Sequence, residues 1–163
     1  MTATTRPRAH DYETELRWTG SRGVGTASYT SYDRDYRVSV AGKPDLEGSS
    51  DAMFRGTAER YNPEDLLVAA LSACHMLAYL ALCARAGVRV VDYTDRASGT
   101  LVFDAQGGGR FESVTLRPIV TIADPAHADS ALALHHTAHD RCFIASSCSV
   151  PVRHEPVLRV AGA

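Results

Sequence analysis

The chain has 163 residues, 45% of them hydrophobic, and a formal net charge of −2. That length and composition suit a single compact domain, residues 1–163, large enough to bury a core. The near-neutral balance gives no electrostatic case for nucleic acid or an anionic membrane as partner. The N-terminus is polar where a secretory signal would be apolar, so a cytoplasmic protein is expected, with its four cysteines reduced rather than paired in a disulfide framework.

Residues 1–9 read as a disordered lead. Tyr12, Thr14, Leu16 and Trp18 then share one face of an alternating strand. Residues 20–25 mark a turn, and 26–32 and 35–41 alternate again, which predicts a hairpin or meander. Residues 42–61 carry Gly, Ser, Pro and charge without periodicity and read as a loop.

A helix follows. Asn62 is a natural cap, Pro63 fits the first helical position, and Glu64 and Asp65 suit the positive end of the dipole. The run from Leu66 to Ala84 is almost uncharged, and Arg85 and Gly87 supply the stop. Because apolar residues occupy every face, the helix is expected to be enclosed on all sides, by sheets or by a partner subunit. Its length would also cross a bilayer, but Ser72 and His75 at its centre, six alanines, and polar strand-like sequence on both sides argue for a buried core helix instead.

Beyond it, 88–101 continues as strand through Val102-Phe103-Asp104, and Gly107-Gly108-Gly109 forms a turn. Residues 111–122 return as the partner of a second hairpin, with Pro118 suggesting an edge or a bulge. Asp124-Pro125 opens a shorter helix over 126–140, and 149–160 closes the chain as a last strand. Strands, buried helix, strands, helix and strand in that order define an α+β fold.

The chemistry centres on Cys74, midway along the apolar helix. At about 1.5 Å per residue it lies some 16 Å from the helix start, too far for the dipole to stabilise a thiolate strongly. Burial alone quietens a thiol. A reactive Cys74 therefore needs a cation from another segment, and Arg55, Arg60 and Arg22 are the candidates. The bland reading of Cys74 and Cys83 is core packing, since unpaired cysteine is among the most buried residue types. His75 points about 100° away from Cys74 and reads as a buried, hydrogen-bonded histidine rather than its base. Glu64 is explained by the dipole alone, and Cys142 and Cys148 by a tight loop. Four cysteines and seven histidines raise a zinc site as an alternative, but no Cys-x-x-Cys pair is present and neither metal nor cofactor is expected.

Read together, the pieces carry more. Asn62-Pro63-Glu64-Asp65 followed by the alanine-rich helix to Cys74 resembles the signature of the OsmC/Ohr superfamily, the osmotically inducible protein C and organic hydroperoxide resistance proteins. Cys142-Phe143-Ile144-Ala145-Ser146-Ser147 is similar to that family's second cysteine segment. The resemblance implies an intertwined homodimer with active sites at the interface, and reduction of organic hydroperoxides at the expense of a dithiol. Cys74 would be the peroxidatic thiolate, Cys142 the resolving thiol, with Cys148 as its rival. Glu64 would hold an arginine over the thiolate, and Arg55 is the arginine chosen. His75 stands where Phe is common in the family, and Cys142 is followed by Phe-Ile rather than Pro. An OsmC-like branch that only binds a small apolar ligand is therefore the alternative.

Overall fold

The computed structural model describes residues 9–162. The expected disordered lead lies outside them except for Ala9. The chain forms two compact units, Met1–Pro63 and Glu64–Ala163.

The first unit is a three-stranded antiparallel sheet, β1 (Glu15–Trp18), β2 (Tyr36–Ser39) and β3 (Leu46–Gly48), in that order. Leu16 faces Val38 and Trp18 faces Tyr36, so the predicted alternation is in register. Gly48 pairs with Tyr36, and a Cβ there would lie 2.3 Å from the tyrosine ring, so this position demands glycine. Residues 26–32 are turns and bends, not the expected strand. Serines outcompete the ladder there: Ser31 Oγ donates to the carbonyls of Gly25 and Ser28, and Arg34 lies over the rings of Tyr29 and Tyr32. Conversely, the expected loop 42–61 contains β3 and a short 3-10 helix, Ala52–Phe54, capped by Asp51. Three residues are too few to show a period, and pairing with β2 decides them.

The second unit is built on α1 (Pro63–Arg85). The helix stops as predicted, with Gly87 at φ 73° and Val88 N donating to Cys83 O at 2.9 Å. Six further strands, β4 (Val90–Asp95), β5 (Ser98–Phe103), β6 (Gly109–Leu116), β7 (Pro118–Ile122), β8 (Val152–His154) and β9 (Val157–Val160), make two sheets of order β4-β7-β9 and β5-β6-β8. Each predicted long strand is two shorter ones that change sheet: between Asp95 and Ser98, at Arg117, and between His154 and Val157. Alternation continues across such corners, which is why the sequence reads as unbroken. Pro118 stands at the first residue of β7, where a missing donor is tolerated, rather than at an edge or bulge; β7 is the middle strand of its sheet. The turn between β5 and β6 is held by the Asp104 carboxylate, which accepts from Gln106 N and Gly108 N. After β7 come a 3-10 turn, Pro125–His127, then α2 (Ala128–Asp140) and the short α3 (Phe143–Ser146).

Two clusters hold this unit together. Tyr79, Leu82 and Cys83 of α1 pack with Val120, Ile122, Ala131 and Ala138, and Leu71 packs with Val114 and Leu116. The C-terminal half of α1 thus packs on one sheet together with α2, and its N-terminal half lies on the other sheet. The polar residues at its centre bond within the unit, the histidines only in part: Ser72 Oγ donates to Asp95 at 2.5 Å, and His75 Nε2 meets His135 Nδ1 at 3.1 Å, while His75 Nδ1 and His135 Nε2 are buried without a partner.

Among the described residues of its own unit, the helix is not enclosed on all sides. Leu71, His75, Tyr79, Leu82 and Cys83 are buried, but Ala69, Ala73, Leu77 and Ala81 are exposed, Leu77 by 63%. Both sheets and α2 approach one face only, and the opposite face is apolar and bare. Leu71, fully buried, should be the most sensitive aliphatic position: Leu71→Ala is expected to lower unfolding free energy in urea by about 3 kcal/mol, whereas Leu77→Ala changes it little in a monomer.

Candidate active site

Cys74 is half-buried on α1, and Cys142 is 1% exposed at the turn between α2 and α3. The turn is built by the cysteine itself. Cys142 N donates to His139 O at 3.1 Å, and its Sγ accepts from Ala145 N at 3.5 Å, capping α3, a helix that the sequence reading left as loop. All four cysteines are free thiols, and those of Cys142 and Cys74 are close enough to interact. Burial pushes the Cys142 thiol up to about 11 and the neighbouring Cys74 adds to this, against the opposing pull of the Ala145 amide. Cys142 is therefore protonated at neutral pH.

Cys74 opens into a groove of about 790 Å³. Its lining is mostly hydrocarbon, from Ala70, Ala78, Ala81, Leu77 and Leu82 of α1 and Phe143 of α3. Its charged lining residues are Arg85, Arg141 and Asp140. Neither arginine was singled out from sequence for this role. Arg141 had a usable signal, since it immediately precedes Cys142; Arg85 was explained fully by the helix stop.

The other predicted residues lie elsewhere. Glu64 lines a separate cavity of about 670 Å³ with Ser72, Tyr93, Asp95 and Phe111. Cys148 lines a third, of about 720 Å³, with Leu67 and Arg110, and not the groove that holds Cys74. Arg55 belongs to the first unit, where it ends the 3-10 helix in a left-handed conformation with φ 67°. Of the three arginines considered there, Arg22 is held by both Asp33 oxygens at 2.6 Å and Arg60 by Asp35 and Glu47 at 3.3 Å. Arg55 makes no ion pair among the described residues.

The sequence model of the family described as OsmC-like protein matches residues 56–155. The chain belongs to the OsmC-like protein family. Its fold is similar to that of an OsmC-like protein of unknown function from Vibrio cholerae, with TM-score 0.82 and 27% identity over 91% of this chain and 100% of that one. It is also similar to an organic hydroperoxide resistance protein from Elizabethkingia anophelis (TM-score 0.67, 18% identity, 95% and 99% covered). The organic hydroperoxide resistance protein OhrB of Bacillus subtilis is a further likeness (TM-score 0.60, 20% identity, 92% and 98% covered). No curated protein matches the sequence. In this OsmC-like chain α1 is the core helix of the fold, although by length and composition alone it would cross a membrane.

Behind the thiol site of this OsmC-like protein lies a group of histidines. His75 and His135 are each 1% exposed, their rings stack with centroids 5.4 Å apart, and His135 stacks on Tyr79 at 3.8 Å. His154 sits 5.6 Å from His75 and 5.5 Å from His139. Burial is the main cause that lowers His75 to about 4 and His135 to about 3, and neighbouring histidines add to both shifts. Among the described residues no group of three His, Cys, Asp or Glu is arranged to hold a metal ion, although His135 and His139 stand one helical turn apart.

Neutral histidines in a core tie stability to pH. The unfolded chain takes up protons near pH 6.5, whereas the folded chain does so only near 4 and 3, so their contribution is complete above pH 6.5 and is lost as pH falls below it. Between pH 6 and pH 4.5, urea unfolding should show stability falling by up to about 1.4 kcal/mol per pH unit for each histidine. In His135→Gln that slope should flatten.

Proposed function

We propose that the protein is a cysteine-based peroxidase that reduces organic hydroperoxides to alcohols, acting as a cytoplasmic homodimer with an unidentified dithiol as reductant. The observation that carries this reading is the approach of the Cys142 thiol to that of Cys74 beside an apolar groove. Two similar folds belong to organic hydroperoxide resistance proteins, which supports the substrate class.

The Cys74 thiolate attacks the terminal peroxide oxygen. An S–O bond forms, the O–O bond breaks, and the alkoxide leaves as alcohol after taking the Cys142 proton. The Cys142 thiolate then attacks the Cys74 sulfenic sulfur, an S–S bond forms and the S–O bond breaks, and the hydroxide leaves as water by taking from solvent the proton that Cys74 had released on ionising. Two thiols have lost two electrons, which the peroxide has gained, and an external dithiol restores them by exchange.

Arg55 is our choice for the cation that favours the thiolate, because its guanidinium makes no ion pair among the described residues while Arg22 and Arg60 are engaged. Glu64 is assigned to hold that arginine, on the family resemblance. The bare apolar face of α1 supports a dimer, since burying it in a second copy removes Leu77 and its alanines from water.

Stopped-flow kinetics with cumene hydroperoxide and hydrogen peroxide tests the chemistry and the substrate class together. Turnover should favour the organic peroxide and vanish in Cys74→Ser. Cys142→Ser should stall as a sulfenic acid, and Cys148→Ser should still form the disulfide. Arg55→Ala should slow the peroxide step on the order of a hundredfold. A Cys74 that stays reduced under excess organic peroxide would leave a binding protein with an apolar groove.

A further inference from the structure

We propose that His75 and His135 are positioning residues: the hydrogen bond between them fixes where α2 lies along α1 and so holds the Cys142 thiol beside that of Cys74 for disulfide formation. The inference rests on the two-thiol chemistry proposed above, and its test uses no peroxide, so each can fail without the other.

Two adjacent residues of α1 meet two residues of a single stretch of chain. His75 Nε2 lies 3.1 Å from His135 Nδ1, and Cys74 lies close enough to Cys142 to interact. His135 and Cys142 are seven residues apart, about two helical turns, which returns a side chain to within roughly 20° of the same line. Cys142 is tied to the end of α2, since Arg141 N donates to Thr137 O at 3.2 Å and Cys142 N to His139 O at 3.1 Å. The buried thiol therefore goes where α2 goes. Much of the packing that seats α2 is apolar, with Ala131 and Ala138 in one cluster with Tyr79, Leu82 and Cys83. Such contacts are non-directional and tolerate a slide, whereas a hydrogen bond weakens steeply with distance and angle. The His135 ring is held further by Tyr79, one turn along α1 from His75, on which it stacks at 3.8 Å.

As packing alone the pair is costly. Both rings are 1% exposed, and His75 Nδ1 and His135 Nε2 are buried without a partner. A neutral imidazole carries one N–H, so whichever ring donates, one of these two atoms is an unmatched donor and the other an unmatched lone pair. Each opposes folding, and hydrocarbon of similar volume would fill the same space without that penalty. What hydrocarbon does not supply is direction. The best-attested use of a buried polar contact is to fix register, and the register fixed here is that of the two thiols.

Positioning and stability therefore separate on substitution. The protein is equilibrated with reduced and oxidised glutathione at neutral pH, and the Cys74–Cys142 disulfide is quantified by peptide mass spectrometry. The two thiols give two electrons and two protons to one glutathione disulfide, which leaves as two glutathiones, so the midpoint reports the effective concentration of one thiol at the other. His75→Leu and His135→Leu should each lower it about fivefold, the weight of one buried hydrogen bond. His75→Gln, whose amide reaches the place of Nε2, and His135→Asn, whose amide falls at that of Nδ1, should keep most of it. His75→Leu and His135→Leu together should lower it no further than either alone, while urea unfolding shows the double variant at least as stable as the wild type. Leu71→Ala, in the other cluster, should lose stability and leave the effective concentration unchanged. Wild-type values in the leucine variants, equal losses in the leucine and amide variants, a double variant whose stability falls along with its effective concentration, an equal loss in Leu71→Ala, or no disulfide in the wild type would each overturn the proposal. A histidine-dependent disulfide in a protein that turns over no peroxide would uphold the positioning role and remove the peroxidase.

Discussion

Everything in the second unit depends on α1 being covered on one face only. A helix with no polar side must be buried, yet the sheets and α2 reach only the stripe that runs from Leu71 through His75 and Tyr79 to Cys83. That stripe joins the two clusters of the core, so the helix organises both sheets. Its other side keeps Cys74 and the alanine trough at the surface. Had the same sequence been enclosed by its own chain, the thiol would have had no groove to open into. The apolar character that reads as core along the whole helix thus does two different jobs on its two faces.

Much of this was legible from residue order. The caps of α1, the alternation of β1 and β2, the hairpin at Gly107 and the helix after Asp124-Pro125 all follow from local rules, and the structure keeps them. What misled was continuity. Val90 through Phe103 and Gly109 through Ile122 each look like one strand because alternation survives a change of sheet, and only the pairing partners reveal the corners. The serine-rich turn at 26–32 failed for the opposite reason, since Ser31 satisfies two carbonyls locally and leaves no ladder to form. Tyr29 and Tyr32 supply the alternating pattern, but both serve as platforms for Arg34.

The sequence singled out two sulfurs that the fold brings near each other, and missed the charges around them. Cys74 and Cys142 meet, as the two motifs imply, and Cys148 stands in another cavity only six residues beyond Cys142 because α3 turns the chain between them. Arg85 was hidden as a groove residue because it already explained a helix end, and Arg141, although it immediately precedes Cys142, was passed over because nothing in sequence shows which way the chain turns after α2. Glu64 and Cys74 lie on one helix but line different cavities. An arginine bridging that acid to that thiol must come from a different segment, which is why an interface is the natural place for it.

His75 and Cys74 show how adjacent residues on a helix can have opposite fates. The 100° step sends the imidazole into the core, where burial drops it to about 4, and leaves the thiol at the groove. A neutral, enclosed imidazole hydrogen-bonded to His135 is neither a cation for a thiolate nor a base for a thiol at neutral pH. That removes the nearest titratable neighbour from the chemistry. In the proposed peroxidase the proton for a departing alkoxide would then come from Cys142, whose burial keeps it protonated, and the positive charge favouring a thiolate would be a guanidinium. In that proposal the acid-base roles fall to two sulfurs, because the core has claimed the histidine.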